Sequence, residues 1–295
     1  MKFEVNEKNI PLQKIEASFL SEKNVQVFVL REDLIHPRIS GNKWRKLKYN
    51  IIEAKAKGFD SLVTFGGAFS NHIAATAAAG NQFGLKTIGI IRGDEVSNST
   101  LDLAVENGMK LKFVSREEYK KKDSSEYTSC YVIPEGGSNT LAVKGCTEII
   151  ENIDIDYDVI CCACGTGGTI AGIIASTEKQ VLGFSALKGG EFLIKDINQL
   201  LLDYDSNINK DNWELKTDYH FGGYAKVKPD LIEFVQKFKK ENDIELDFVY
   251  TGKMLFGLYD MVNNTGELNN KTIIVVHTGG IQGNKGFEDR FGIEL

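Results

Sequence analysis

The chain has 295 residues, with 35 Lys and Arg against 41 Asp and Glu, a formal net charge of −6, and 42% hydrophobic and 26% charged residues. These proportions predict one large or two modest globular domains and exclude wholesale disorder. The negative balance argues against a general binder of nucleic acid or anionic membrane, and no apolar run reaches the ~18 residues of a membrane span.

In chain order, a β-rich run at 25–30 is followed by a helical pattern at 42–57, with Trp44, Leu47, Ile51 and Ile52 on one face and Gly58 as its stop. A strand at 61–65 ends in Gly66-Gly67, and an alanine-rich helix is predicted over 70–82 with Ser70 near its start. Further strands are read at 87–91, 110–114 and 131–133, with a helix at 99–106 and a solvated turn at 120–126. The second half repeats the style. Helices are expected at 141–150, 169–175, 231–239 and 253–262, and strands at 159–162, 181–184 and 272–276. This alternation predicts an α/β fold with parallel sheets flanked by helices. Ligands gather at the carboxyl ends of such strands, which points to the glycine-bearing loops 66–70, 135–139, 165–169 and 277–280.

Five cysteines are present, and Cys161, Cys162 and Cys164 crowd one predicted strand. Neighbours on one strand are poorly placed to bridge, and no second pair with metal-ligand spacing accompanies them, so they read as small core residues and no metal site is expected. The opening MKFEVNEKNIPLQK lacks the apolar segment of a secretory signal. With no disulfide framework either, a reducing cytoplasm is the expected compartment.

Three segments carry the chemistry. Cys164-Gly165-Thr166-Gly167-Gly168-Thr169 follows a strand and opens a helix, where free N–H groups and the helix dipole favour a phosphate; a plain turn is the alternative. It is neither a Walker A loop nor a good dinucleotide fingerprint. In Ser40-Gly41-Asn42-Lys43-Trp44-Arg45-Lys46, Lys43 and Lys46 share a helix face. The positive end of that helix makes the Lys43 amine easier to deprotonate, as a nucleophile or Schiff-base former requires. Gly66-Gly67-Ala68-Phe69-Ser70-Asn71-His72 presents Ser70, Asn71 and His72 at a helix start, suited to a carboxylate, with simple capping by Ser70 as the alternative.

Together these segments resemble the family of 1-aminocyclopropane-1-carboxylate deaminase and D-cysteine desulfhydrase, pyridoxal-5'-phosphate (PLP) enzymes of the tryptophan-synthase-β fold type. The markers are LREDL (30–34), GNKWRKL (41–47), GGAFSNH (66–72), VIPEGGSN (132–139), CGTGGTIAGI (164–173), FVYTGK (248–253) and HTGG (277–280), which together span nearly the whole chain. The resemblance implies two open, twisted, mostly parallel sheets. A small domain at 47–146 would be inserted into a larger one built from 1–46 and 147–295, with the site in the cleft between them, and the family resemblance suggests a homodimer.

The same resemblance implies the site. Lys43 would be the Schiff-base lysine and Lys46 would reach the cofactor phosphate, which Gly165, Thr166, Gly167, Gly168 and Thr169 would cradle. Asn71 would bond the phenolic oxygen, and the hydroxyl of Thr278 would meet the pyridine nitrogen. Ser70, Asn71 and His72 would face the substrate carboxylate. Lys43, Ser70, Tyr224 and Tyr250 would carry catalysis. Three departures mark this chain: Gly223-Tyr224-Ala225 stands for a Gly-Tyr-Gly motif, Thr251 for the deaminases' Glu, and His72 for their Gln. The last two favour the desulfhydrase side, and Thr251 leaves the ring nitrogen with neutral partners as far as sequence shows. The expected activity is β-elimination from small D-amino acids, D-cysteine first, giving pyruvate, ammonia and sulfide. Cyclopropane deamination is the rival within the family. A nicotinamide-dependent dehydrogenase and a non-catalytic PLP-binding protein are rivals of other classes.

Overall fold

The computed structural model describes Val5 and residues 7–293. The chain runs β1 (Leu12–Ile15), α1 (Ser18–Glu22), β2 (Gln26–Leu30), α2 (Asn42–Ala56), β3 (Ser61–Gly67), α3 (Asn71–Phe83), β4 (Lys86–Arg92), α4 (Ser99–Glu106), β5 (Lys110–Val114), α5 (Arg116–Lys121) and β6 (Tyr131–Ile133). It continues with α6 (Thr140–Thr147), β7 (Val159–Cys164), α7 (Gly168–Ser176), β8 (Gln180–Ser185), α8 (Phe192–Tyr204), β9 (Trp213–Lys216), α9 (Pro229–Asn242), α10 (Thr251–Asn264), β10 (Thr272–Val276) and α11 (Asn284–Phe291).

Two sheets result. The larger has the order β1-β2-β10-β7-β8-β9 and is parallel except for β1, which runs antiparallel to β2. The smaller, β5-β4-β3-β6, is parallel throughout. The α/β class and the two mostly parallel sheets expected from sequence are therefore present. β7 is buried along its whole length, as a strand covered on both faces should be. Cys161, Cys162 and Cys164 lie on it as free, buried thiols. Among the described residues no helix is long and apolar enough to cross a membrane.

One apolar core joins the sheets. Leu62 and Ile133 of the smaller sheet and Ile160, Ile274 and Val276 of the larger belong to it, with Leu47 and Ile51 of α2 and Cys146 of α6 among its members. α6 fits between α2 and α7 because glycines let backbones meet. A Cβ on Gly145 would lie 1.9 Å from the Arg45 carbonyl oxygen, and one on Gly172 would lie 2.4 Å from the Cys146 Cβ.

Several elements escaped the sequence reading. β1 and β9 are four-residue strands at the two edges of the larger sheet, too short to show a period. α8 buries Leu193, Ile197 and Leu201, a four-residue spacing that does carry a helical signal. α1, α5 and α11 are five, six and eight residues long. The run 120–126, read as a solvated turn, includes the end of α5, which stops at Lys122 in the left-handed region (φ 49°). The helix read over 141–150 stops at Thr147 and gives way to a short 3-10 turn at Ile150–Asn152.

Candidate active site

The loops after β3, β6, β7 and β10, the four marked by their glycines, converge on one cleft of about 440 Å³. The start of α2 is fastened into it. Gly41 adopts φ 60°, ψ −142°, and a Cβ there would lie 2.0 Å from the Thr278 carbonyl oxygen, so only glycine lets the helix abut the β10 loop. The Asn42 N–H donates to that carbonyl (3.3 Å), and Asn42 Nδ2 donates to Thr169 Oγ1 at the start of α7 (2.8 Å).

Held between these two loops, Lys43 lines the cleft. Burial first, and then the neighbouring Lys46 ammonium, pull its amine down to about 7. Below that value the amine is a cation and above it a free nucleophile. Capture of an aldehyde by the cofactor-free protein is therefore expected to accelerate across pH 7, read as growth of visible absorbance on adding PLP. A rise centred near pH 10 would show an ordinary solvated lysine.

Lys46 is 2% exposed and its ammonium is also depressed by burial. Its Nζ donates to Gly136 O (3.0 Å) and Ser138 Oγ (3.1 Å) and lies 3.4 Å from Thr166 Oγ1. All three acceptors are neutral. Beside it, Gly167 takes φ 77° and Gly168 opens α7. A Cβ on Gly168 would sit 2.8 Å from Ser138 Oγ and 3.0 Å from Lys46 Nζ. A buried cation with no carboxylate partner among the described residues, facing the start of α7 across a bare glycine, fits a phosphate.

The opposite wall comes from α3. Ser70 Oγ accepts from the Ile73 N–H (3.4 Å), so it caps the helix while still lining the cleft. Asn71 Oδ1 accepts from Gln282 Nε2 (3.0 Å). His72 is 2% exposed rather than on the surface; its Nε2 meets Thr64 Oγ1 (2.8 Å), and its Nδ1 has no hydrogen-bond partner among the described residues. Burial, then Lys43 and Lys46, hold this imidazole well below the usual range, so it is neutral at pH 7.

Tyr224 and Tyr250 stack edge-on at 6.2 Å between centroids. A Cβ on Gly165 would lie 2.9 Å from the Tyr250 ring. Burial raises both phenols, so both keep their protons at neutral pH. Tyr224 also donates to the Phe69 carbonyl (3.3 Å).

Lys43, Lys46, Ser70, Asn71, His72, Gly165, Thr166, Gly167, Thr169, Tyr224, Tyr250 and Thr278 all line this one cleft, and Gly168 lies directly behind it. Thr251 does not. Its hydroxyl donates to Asp247 Oδ2 (2.7 Å) and accepts from the Asp247 N–H (2.9 Å), locking the start of α10. Asp247 was unread in the sequence. It is 2% exposed and accepts from the Val249, Tyr250 and Thr251 N–H groups (2.9, 2.7 and 2.8 Å). A Cβ on Gly280 would lie 3.4 Å from its carboxyl carbon. Sequence reasoning also missed Arg38, Arg92, Glu135, Asp196 and Gln282 on the cleft walls. Arg92 and Asp196 had a signal only in their elements, the end of a strand and the exposed edge of an amphipathic helix.

A glycine cradle for phosphate beside a half-buried, readily deprotonated lysine, at the strand ends of two open sheets, defines an enzyme that works through an aldehyde-bearing phosphate cofactor. Residues 4–279 match the model of the pyridoxal-phosphate dependent enzyme family, and the chain belongs to that family. It is 33% identical over 96% of its length to a Thermotoga maritima protein provisionally named a 1-aminocyclopropane-1-carboxylate deaminase, covering 97% of that protein. It is 31% identical to the bifunctional D-cysteine desulfhydrase/1-aminocyclopropane-1-carboxylate deaminase of Arabidopsis thaliana, over 88% of this chain and 73% of that one. A crystal structure of an ACC deaminase homologue superposes with a TM-score of 0.86 at 29% identity, covering 98% of this chain and 94% of that one. The family sets aside the dehydrogenase reading of the glycine loop.

Proposed function

We propose that the protein is a β-eliminating lyase of small D-amino acids, with D-cysteine the leading substrate and pyruvate, ammonia and sulfide the products. The observation that carries this reading is the placement of the readily deprotonated Lys43 amine in one cleft with two protonated tyrosines. Elimination needs a base at Cα and an acid at the departing group, and the cleft offers both.

PLP, when bound, supplies an electron sink for charge at Cα. The protein does the rest. Lys46 Nζ, the hydroxyls of Thr166 and Thr169 and the N–H groups of 165–169 would hold its phosphate. Thr278 Oγ1 would face the ring nitrogen, and Asn71 the phenolic oxygen. Ser70 Oγ and Asn71 Nδ2 would orient the substrate carboxylate, with neutral His72 behind them. Lys43 Nζ would take the Cα proton, and Tyr250 Oη, seconded by Tyr224, would give a proton to the leaving sulfur. The cleft between a small unit at 47–146 and the rest of the chain would exclude water during these transfers.

The test is a panel of D- and L-amino acids and 1-aminocyclopropane-1-carboxylate offered to the PLP-loaded protein. Pyruvate from D-cysteine supports the reading. Product formed only as 2-oxobutyrate from the cyclopropane substrate would replace it with deamination, which the relatives' names favour. A yellow protein inert toward the whole panel would leave a PLP-binding protein without turnover.

A further inference from the structure

The turn that carries Tyr224 is strained and is held by a buried cation that no step above uses. Phe221, Gly222, Gly223 and Ala225 have φ of 55°, 99°, 121° and 53°. Two of these carry side chains in the left-handed region, which persists only where surrounding structure over-determines it. Ala225 stands where a glycine would have relieved the strain.

α10 supplies the restraint. Phe221 packs edge-on against Phe256 at 4.9 Å, and the Tyr219 hydroxyl donates to Asp260 Oδ2 (2.8 Å). Lys253, 2% exposed, precedes both on the first turn of the same helix, three residues beyond Tyr250. Its Nζ donates to the carbonyls of His220 (3.0 Å) and Gly223 (2.8 Å), the latter directly preceding Tyr224. Burying a lysine is costly, and its amine is pulled down to about 8 by burial, with Asp247 the charge opposing that fall. A fold that needed only apolar contact there would place methionine or leucine at that point.

We propose that Lys253 is a positioning residue which, by clamping the His220 and Gly223 carbonyls, fixes the Tyr224 ring against Tyr250. The inference rests on the reading of Tyr224 as a proton donor, but the clamp is testable apart from it.

The experiment compares PLP-loaded wild type with Lys253→Met, Lys253→Gln, Tyr224→Phe and the Lys253→Met/Tyr224→Phe double variant. Lys253→Met is expected to lower kcat by about 10²-fold, the low end for a lost proton donor, as Tyr224→Phe does. KM and PLP affinity should stay within about twofold, because the phosphate cradle is untouched. The double variant should be no slower than either single one, since both remove the same interaction. Lys253→Gln, which keeps an N–H donor, should recover part of the loss. Hydrogen exchange over 220–226 should accelerate in Lys253→Met, with α10 unchanged. Additive losses in the double variant, unaltered exchange in the turn, or faster exchange through all of α10 would each overturn the clamp. If no substrate is turned over by any of the proteins, the functional reading fails and the exchange measurement alone decides the clamp.

Discussion

Lys43→Ala is expected to abolish turnover while leaving the fold at least as stable. Pyruvate release from D-cysteine should fall by at least about 10³-fold, because the variant loses both its cofactor anchor and its base in one step. Borohydride treatment followed by mass spectrometry should add the cofactor's mass to wild type and nothing at position 43 of the variant. PLP itself should still bind, more weakly, since Lys46 and the 165–169 loop remain. Stability should not fall, because an amine held down to about 7 is one whose charged form the fold disfavours. Between pH 7 and the ordinary lysine range the folded state binds fewer protons there than the unfolded chain, so stability from this group rises with pH over that window. Alanine removes the burden, and the variant's melting temperature should match or exceed that of the cofactor-free wild type at pH 7. A loss of activity accompanied by a large fall in melting temperature would instead make Lys43 a packing residue.

The legible part of this site lay in short-range chemistry. Glycines at strand ends announced the four loops, because close approach leaves no room for a Cβ, and Gly136 and Gly168 show that requirement directly. Lys43 and Lys46 were readable as a pair because helical spacing puts residues three apart on one face. What stayed hidden depended on distant partners. Thr251 was read only as standing in place of a Glu, and nothing local showed that its hydroxyl is used within the turn by Asp247, four residues earlier. Asp247 carried no signal, since an acid before a helix is ordinarily an exposed cap, and its burial comes from the loop after β10 closing over it at Gly280. Lys253 was hidden for the same reason. It sits in a Lys-rich chain, and nothing local says that the carbonyls of residues 220 and 223 will come to meet it. The fold was readable because alternating strands and helices declare themselves by period. The edge strands β1 and β9 are too short to have one.

Arg45→Met is expected to cost about 3–5 kcal/mol of stability, the range for stripping one partner from a buried ion pair. Arg45 is two residues beyond Lys43 on α2 and is 1% exposed; Glu32 is fully buried. The guanidinium grips Glu32 through Nε–Oε2 (3.1 Å) and Nη2–Oε1 (2.9 Å), with Nη1 reaching Glu148 (3.2 Å) and Nη2 the Glu7 carbonyl (3.2 Å). Burial already raises the Glu32 carboxyl above its ordinary value even with Arg45 in place. Without Arg45 nothing opposes that burial, so Glu32 must take up a proton or the helix must shift. Glu148 keeps Lys48 (2.8 Å) and is not orphaned. A drop in melting temperature on the order of 10 °C should follow at pH 8. The sign of its pH dependence separates this cause from simple loss of packing. A carboxyl raised in the folded state binds more protons there than when unfolded, so the deficit should shrink as pH falls toward the ordinary glutamate range. Adding Glu32→Gln should recover part of the loss at pH 8 and remove that pH dependence, because the neutral amide needs no counter-charge. A deficit that stays constant from pH 8 to 5, or a double variant no more stable than Arg45→Met, would mean that the pair holds the start of α2 by shape rather than by charge.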